Sequence, residues 1–339
     1  MNKQLLKLAI CLLSSVPLFS QDVSRLGFTP YIITDPALGN IHFYLRSKDS
    51  TQAKPLLLYL DGSGAFPLFQ KTPQGLASTV LINLRKLSEK YTICLISKPG
   101  VPFMDTISYA NNGFPQYPEP AEYTRRLSLQ WRVESASRVI DYLLSNKLAD
   151  SRKIVVVGVS EGAQVAPTLA VRNKNVTHLV ALSGNGLNQL YDNILSVRQQ
   201  EYSGQITSAD AQKMIDSLYV QYDKIFHNPA STTDTWYGHS YLRWSSFASV
   251  SPVENLLKLT IPIYIANGSK DMNPVASADF IQLAFLQHGK KNLTAKVYPG
   301  YDHQFNEVVQ KDGKIERMIP HFAEVIDAAM AWVEAHMEN

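Results

Sequence analysis

Six short apolar runs recur along this chain of 339 residues, and amphipathic stretches lie between them. Runs that are apolar on both faces are typical of strands in a parallel sheet covered by helices. The residues between them have helical character, with apolar positions at helical spacing over 121–147 and a first-turn proline, Pro274, at the start of 274–288. The pattern therefore predicts an α/β fold with a mostly parallel sheet flanked by helices. The predicted strands are PLLLYL from Pro55, YTICLI from Tyr91, KIVVVGV from Lys153, THLVAL from Thr177, IPIYIA from Ile261 and TAKVYP from Thr294.

One interval of about 75 residues is much longer than a crossover between parallel strands requires. It contains a predicted helix at 205–226 and an aromatic-rich stretch, TWYGHSYLRWSSF, at 235–247. We interpret residues 185–258 as a helical cap insertion over one end of the sheet; the alternative is a surface decoration remote from any site. A cap would place aromatic walls beside the substrate. The candidates for substrate binding are Trp236, Tyr237, Tyr241 and Trp244.

The first 20 residues have the pattern of an export signal, with Lys3 and Lys7 before an apolar stretch. We expect residues 1–20 to be a signal peptide and the protein to be periplasmic or secreted; the alternative is a buried amphipathic helix. The α/β core would then consist of residues 21–184 and 259–339. We expect no integral membrane segment after removal of the signal, because no later stretch reaches the roughly 20 apolar residues of a spanning helix.

Composition narrows the class of protein further. With 45% hydrophobic and 18% charged residues the chain is that of a globular protein. The formal net charge of +3 falls to +1 without the two signal lysines, and the chain has no run of Lys and Arg, so nucleic acid is not an expected partner. Cys11 and Cys94 give no disulfide framework, and the eight histidines show no metal-ligand spacing. We expect neither a metal nor a cofactor.

The run IVVVGVSEGA at 154–163 ends in a turn that needs small residues. Strand, Gly-x-Ser-x-Gly, then helix is the pattern of a nucleophile elbow, in which two glycines let strand and helix approach and the serine Oγ projects from the sheet edge. Ser160 is the predicted nucleophile. The backbone N–H of Glu161, at the start of the next helix, is a predicted oxyanion donor; the role of the Glu161 side chain stays open at this point.

A serine nucleophile needs a base, and the base needs a carboxylate that orients it. Asp271 follows the strand IPIYIA, and His303 follows the next strand. The order Ser160, Asp271, His303 is the one that this type of fold requires, with all three at the C-terminal ends of strands. Asp302 is a rival acid, which we disfavour because adjacent side chains on a loop point apart.

On these motifs the chain resembles the α/β-hydrolase-fold serine hydrolases, over about residues 40–184 and 258–338. The glutamate in GVSEGA is similar to the elbow of some exported bacterial esterases of the dienelactone-hydrolase-like group. In the family, a His-Gly-x-Gly turn after an earlier strand supplies the second oxyanion donor. Here DGSGA stands at that place, so the resemblance implies the N–H of Ser63 as donor, with Asp61 where the family has histidine.

The resemblance implies an exported enzyme that cleaves a carboxylic ester, with a small-molecule ester as substrate, through an acyl-serine intermediate. Peptidases, acyltransferases and thioesterases share these motifs and remain alternatives. A catalytically silent binding protein is the alternative from another class.

Overall fold

The structure is a computed structural model that describes residues 18–48, 53–111, 113–311 and 314–337. The proposed signal segment lies outside the described residues except for its last three, which begin the first helix. Within the described ranges no helix is both long and apolar enough to cross a bilayer. The helices are α1 (Leu18–Arg25), α2 (Leu84–Leu87), α3 (Ala121–Arg126), α4 (Leu129–Ser145), α5 (Glu161–Arg172), α6 (Gln189–Tyr202), α7 (Ser208–His227), α8 (Tyr241–Ala248), α9 (Pro252–Lys258), α10 (Met272–Gln287) and α11 (Phe322–Met337).

Within the part of the chain that the structure describes, the strands form one large sheet and four small ones. The large sheet has eight strands in the order β1-β2-β6-β3-β10-β11-β14-β15. The pairs β1–β2 and β2–β6 are antiparallel, and the other five pairs are parallel. The strands are β1 (Thr29–Asp35), β2 (Gly39–Arg46), β3 (Pro55–Leu60), β4 (Phe69–Thr72), β5 (Gly75–Ser78), β6 (Thr92–Ile96), β7 (Met104–Thr106), β8 (Ser108–Tyr109), β9 (Pro115–Gln116), β10 (Asp150–Val159), β11 (His178–Leu182), β12 (Thr235–Trp236), β13 (His239–Ser240), β14 (Ile263–Gly268), β15 (Leu293–Tyr298), β16 (Asn306–Lys311) and β17 (Lys314–Pro320).

The central strands are buried on both faces. In β3, Leu56 and Leu58 pack with residues of α4, α5, α9 and α10, whereas Leu57 and Tyr59 pack with α1, α2 and α11 on the other face. This alternation is why the central runs are apolar at every position. The predicted fold class, a mostly parallel sheet flanked by helices, is confirmed.

All six predicted strands are present; β3 has the predicted ends, and the ends of the other five differ by at most three residues. The predicted helix at 121–147 is divided into α3 and α4, because Leu127 is extended and the Ser128 side chain accepts a hydrogen bond from the Trp131 N–H as the cap of α4. The antiparallel strands β1 and β2 and the β16–β17 hairpin were not predicted from the sequence. Only one face of β2 is deeply buried toward its start, so its apolar pattern is weaker than that of the central strands.

The interval predicted as a cap contains α6, α7, the small β12–β13 hairpin, α8 and α9. Helices α6, α7 and α8 share their own apolar cluster, which includes Leu190, Tyr222 and Trp244. Helix α9 differs, because Val253 and Leu256 belong to the main core under α5. Phe247 of α8 belongs to the same core, so the end of the interval packs with the helix layer on the sheet, whereas α6 and α7 pack in separate apolar clusters.

Candidate active site

Ser160 lies at the sharp turn between β10 and α5. Its backbone has φ 56° and ψ −120°, which places a residue with a side chain in a region that such residues rarely adopt. The turn requires glycine on both sides: a Cβ on Gly158 would lie 2.1 Å from the Gly162 carbonyl oxygen, and a Cβ on Gly162 would lie 2.1 Å from the Leu60 carbonyl oxygen. Strand and helix thus approach more closely than any other residue type permits.

His303 and Asp271 complete a hydrogen-bonded chain that begins at Ser160. His303 Nε2 is 3.0 Å from Ser160 Oγ, and His303 Nδ1 is 2.8 Å from Asp271 Oδ2. We call these three residues the candidate triad. The loops that carry Asp271 and His303 are packed together, because a Cβ on Gly268 would lie 2.2 Å from the Tyr301 carbonyl oxygen. The Ser183 hydroxyl donates to the His303 carbonyl at 2.7 Å and so ties the histidine loop to β11.

Opposing effects act on the His303 imidazole. Burial lowers its pKa, but the hydrogen bond and the charge of Asp271, with a contribution from Asp302, outweigh burial and raise the pKa above the usual value. The Asp302 carboxylate accepts hydrogen bonds from the backbone N–H groups of Gln304 and Asn306 instead of contacting the imidazole. Geometry therefore favours Asp271 as the orienting acid, whereas Asp302 stabilises the conformation of the loop that carries His303.

A small cavity of about 190 Å³ opens at the candidate triad. All of its lining residues are of polar or charged type, which differs from the mostly apolar lining of typical small-molecule sites. Both predicted oxyanion donors are on its wall. The lining residues are Ser63, Ser160, Glu161, Ser183, Asn185, Gln189, Asp192, Arg243 and His303.

A larger cavity of about 870 Å³ shares Ser63 with the small one. Its wall includes Phe66, Tyr117 and Tyr237, together with prolines and polar residues of the loop before α3. Tyr237 is 72% exposed, so it offers an accessible aromatic face. Ser63 thus lies on the wall of both cavities, and its neighbour Gly62 lies against Ser160, since a Cβ on Gly62 would be 3.3 Å from the Ser160 Cβ.

The other predicted aromatic residues, Trp236, Tyr241 and Trp244, line neither of these two cavities. Trp236 and Trp244 pack against each other with ring centroids 5.0 Å apart, and the Trp244 Nε1–H donates to the Trp236 carbonyl. The Tyr241 hydroxyl accepts from the Gln221 amide at 2.9 Å. Trp244 is nevertheless linked to the site, because the Arg243 guanidinium lies over its ring at 4.7 Å. Direct contact of these three aromatics with substrate stays a prediction.

Behind the small cavity lies a row of five buried ionic side chains, which we call the charge chain: Lys98, Asp61, Arg132, Glu161 and Arg243 in order of contact. Every one of these side chains is at most 5% exposed. Burial alone would raise the pKa of Glu161, but the charges of Arg243, Arg132 and Lys98 outweigh burial and lower it to about 2. The carboxylate is therefore ionised at neutral pH.

Sequence reasoning missed Arg132, Arg243 and Asp192 as site residues. Glu161 in the sequence did indicate a nearby basic side chain, since an acid that is buried in a turn of small residues needs a basic partner. The partners could not be named from sequence, because Arg132 is 29 positions away and Arg243 is 82 positions away. Asp192, on the cavity wall, has a pKa raised to about 6, because burial outweighs the hydrogen bonds from Asn185 and Ser277.

The sheet order, the elbow and the placement of the site at the C-terminal strand ends define a hydrolase of the α/β-hydrolase fold. Residues 133–306, just over half of the chain, match the profile of the family described as BAAT / Acyl-CoA thioester hydrolase C terminal. The chain belongs to this family, and the predicted resemblance to α/β-hydrolase-fold hydrolases is confirmed. A comparison with curated protein sequences gave no match.

Solved structures share the fold at low identity. A Mycobacterium tuberculosis puromycin-hydrolyzing peptidase is 13% identical with a TM-score of 0.56, over 91% of this chain and 39% of that one. The α/β hydrolase GrgF from Penicillium sp. sh18 is 13% identical with a TM-score of 0.53, over 92% and 99% of the two chains. A Klebsiella pneumoniae protein provisionally described as a dienelactone hydrolase is 15% identical with a TM-score of 0.50, over 91% and 98%. The chain spans about two fifths of the length of the peptidase, and these likenesses show the fold alone.

Proposed function

We propose that the protein is an exported serine hydrolase that cleaves a carboxylic ester through an acyl-serine intermediate. The observation that supports this most strongly is the hydrogen-bonded chain from Ser160 Oγ through the His303 imidazole to Asp271. It begins at a serine that the backbone holds in a strained conformation at the sheet edge. A structural serine would need neither the strain nor the two partners.

In this mechanism His303 Nε2 accepts the Ser160 proton while Oγ bonds to the acyl carbon, and the carbonyl electron pair moves onto oxygen. The tetrahedral intermediate collapses, the bond to the leaving oxygen or sulfur breaks, and His303 returns its proton to that atom. Water then repeats the sequence on the acyl-serine and releases the acid. Asp271 holds the imidazole tautomer and stabilises the imidazolium throughout.

The oxyanion would accept hydrogen bonds from the backbone N–H groups of Ser63 and Glu161, which both line the small cavity. Glu161 is the first residue of α5, so its N–H is not used by the helix itself. The positive end of the helix dipole adds to the stabilisation of negative charge there. Loss of one such donor costs about 100- to 1000-fold in kcat in a well-studied serine hydrolase.

The polar small cavity favours a substrate whose smaller half carries hydrogen-bonding groups. Arg243, on its wall, has two buried nitrogens, Nε and Nη1, for which the described residues supply no acceptor. Buried donors of this kind are normally paired, so an oxygen of the substrate is the expected partner. The adjoining cavity, with Phe66, Tyr117 and Tyr237, would take the bulkier half.

A thioester is the second candidate substrate, and the family described as acyl-CoA thioester hydrolases favours it. The same acyl-serine chemistry applies, with a thiolate in place of the alkoxide as leaving group. A peptidase would have to expel an amine, which is a poorer leaving group than an alkoxide or a thiolate. The anilide series described below tests this alternative.

Fluorophosphonate labelling followed by peptide mapping tests the nucleophile. We expect the label on Ser160, its loss in Ser160→Ala without a change in melting temperature, and full labelling in the control Ser203→Ala, which replaces an exposed serine. An unlabelled wild-type protein would favour the silent binding protein and reject the proposal.

Substrate class is tested with three matched series: p-nitrophenyl esters, acyl-CoA thioesters and aminoacyl p-nitroanilides. Within the esters, 3-hydroxybutyrate should be preferred over 3-methylbutyrate, which has the same size but no hydroxyl group. Hydrolysis of the anilides alone would make the enzyme a peptidase.

Export is proposed from the pattern of residues 1–20. Expression of the full chain in a bacterial host with a secretory pathway, then fractionation and N-terminal sequencing, tests it. Processing near Gln21 would support export, and an unprocessed cytoplasmic product would contradict it.

A further inference from the structure

The charge chain contacts both segments that carry the proposed oxyanion donors. On one side, Lys98 Nζ donates to Asp61 Oδ2 at 2.7 Å and to the Gly64 carbonyl at 2.8 Å. These two residues flank Gly62 and Ser63. The lysine therefore spans the base of the loop that presents the Ser63 N–H, and it fixes the loop at both ends.

Arg132 joins this loop to the elbow. Its Nη2 donates to the Asp61 carbonyl at 2.9 Å and to Asp61 Oδ1 at 2.7 Å, and its Nη1 donates to Glu161 Oε1 at 3.0 Å. One rigid guanidinium thus bridges the residue two before Ser63 and the residue that carries the second donor. A planar fork of donors suits such a bridge better than a flexible ammonium does.

Arg243 extends the chain to α8. Its Nη2 donates to the second oxygen of Glu161 and to Gln189 Oε1 at 3.2 Å. Both oxygens of Glu161 are therefore held, one by a helix of the core and one by a helix of the inserted segment. The five side chains carry three formal positive and two formal negative charges, so the chain has an excess positive charge on the side where the oxyanion would develop.

Stability alone does not account for this arrangement. Buried ion pairs lose much of their attraction to desolvation, and apolar replacements of similar volume are often neutral or stabilising. A preorganised oxyanion hole, by contrast, gains directly from groups that hold its donors in place, because the donors then need no reorganisation during the reaction.

We propose that the charge chain positions the oxyanion hole, with Arg132 as the residue that holds the Ser63 loop and Glu161 at the correct separation. Arg132, Lys98 and Asp61 are positioning residues, since they act through the donors and touch no reacting atom. This inference rests on the proposed function, because it requires an oxyanion to form at Ser160.

The test is Arg132→Met, which removes both bridges but leaves Asp61 paired with Lys98 and Glu161 paired with Arg243. We expect kcat per titrated active site to fall by about 10- to 100-fold, somewhat less than for loss of a donor itself. KM should change less than about threefold. The inhibition constant of a trifluoromethyl ketone, which forms a tetrahedral oxyanion adduct, should rise by the same factor as kcat/KM falls.

Arg172→Met is the matched control. Arg172 makes the same kind of contact with Glu134, also between α4 and α5, but its side chain is 52% exposed and lies at the opposite end of α5 from Glu161. Its removal should leave kcat and ketone affinity within about twofold of the wild type.

Arg132→Lys keeps a buried charge and is the variant to use if Arg132→Met does not fold. Because a single ammonium cannot make both bridges, we expect a loss of about tenfold in kcat.

Unchanged kcat and ketone affinity in either folded Arg132 variant would overturn the positioning role. So would a loss confined to KM, or a lower melting temperature with full activity per titrated site. A wild-type protein that takes no fluorophosphonate on Ser160 would instead reject the proposed function, so the two failures are distinguishable.

Discussion

At His303 a single imidazole is subject to two opposing environments. Burial favours its neutral form, whereas Asp271, and to a lesser degree Asp302, favour the imidazolium; the net effect raises the pKa. The side chain is still 45% exposed, which leaves Nε2 accessible to substrate and water. A general base must be neutral to accept the Ser160 proton, so this balance decides the pH range of the reaction.

The pH profile of kcat/KM tests this balance. In the wild type kcat/KM should rise with pH through an apparent pKa above 6.5, because only neutral His303 accepts the proton. Asp271→Asn removes the largest contribution that raises the His303 pKa and leaves the lowering effect of burial, so the rise of kcat/KM should move to lower pH. In the same variant kcat should fall by up to about 10⁴-fold. Asp302→Asn should move the rise of kcat/KM in the same direction, but by less. A larger loss of kcat in Asp302→Asn than in Asp271→Asn would show that the orienting acid is misassigned.

At the level of elements, the site depends on how closely α5 approaches β3 and β10. The Gly162 Cα lies so near the Leu60 carbonyl that a methyl group has no space, and the obstacle is backbone rather than a flexible side chain. The same close approach brings Glu161 beside the loop that follows β3. Helix propensity favours alanine at this position by about 1 kcal/mol, so any loss of function or stability on substitution must come from the packing.

Gly162→Ala should therefore lower the free energy of unfolding by about 1–3 kcal/mol, the usual effect of overpacking, and slow fluorophosphonate labelling of Ser160. Urea unfolding and labelling kinetics measure the two effects. The control Gly204→Ala lies in open space at φ 72°, so it should lose about 1–2 kcal/mol of stability through backbone strain without a change in labelling rate. Equal labelling rates in the wild type, Gly162→Ala and Gly204→Ala would show that the site does not depend on the close approach of α5 to β3.

At the level of the whole molecule, the inserted helices are coupled to the core through α8. Arg243 reaches Glu161 at the elbow, the Gln164 amide donates to the Phe247 carbonyl, and the Ser246 hydroxyl accepts from the Leu129 N–H at 3.0 Å. The aromatic cluster around Trp244 holds α8 against α7. Disturbing this cluster should therefore affect the site indirectly, through the position of Arg243.

Trp244→Ala and Tyr237→Ala separate these two kinds of aromatic residue. Trp244 is buried in the cluster, so its loss should lower the free energy of unfolding by about 3–5 kcal/mol and reduce kcat for every ester. Tyr237→Ala removes an exposed side chain and should cost less than about 1 kcal/mol, while it changes kcat/KM for bulky relative to small esters. Unfolding curves and an ester series give both readouts. Unchanged ester ratios in Tyr237→Ala would remove that residue from the binding wall.

Those parts of the protein that depend on local pattern could be predicted from the amino-acid sequence. Runs apolar at every position predicted buried parallel strands, and GVSEG after such a run predicted the elbow, because only glycine permits the close approach. The grouping of Ser160, Asp271 and His303 could also be predicted, because residues just after parallel strands meet at one edge of the sheet. The geometry now places these three within hydrogen-bonding distance.

The distant side chains that surround this site could be identified only from the packing of the fold. Glu161 required a cation, yet nothing local distinguishes Arg132 and Arg243 from the other basic residues, because the choice depends on how α4 and α8 pack against the elbow. The aromatics of the insertion were predicted from composition to form a substrate wall, and that stays a prediction; the fold adds the contact between Trp236 and Trp244, which composition does not indicate. Composition determines that large apolar side chains are buried, but the fold determines what they are buried against, since burial by the hydrophobic effect is non-directional.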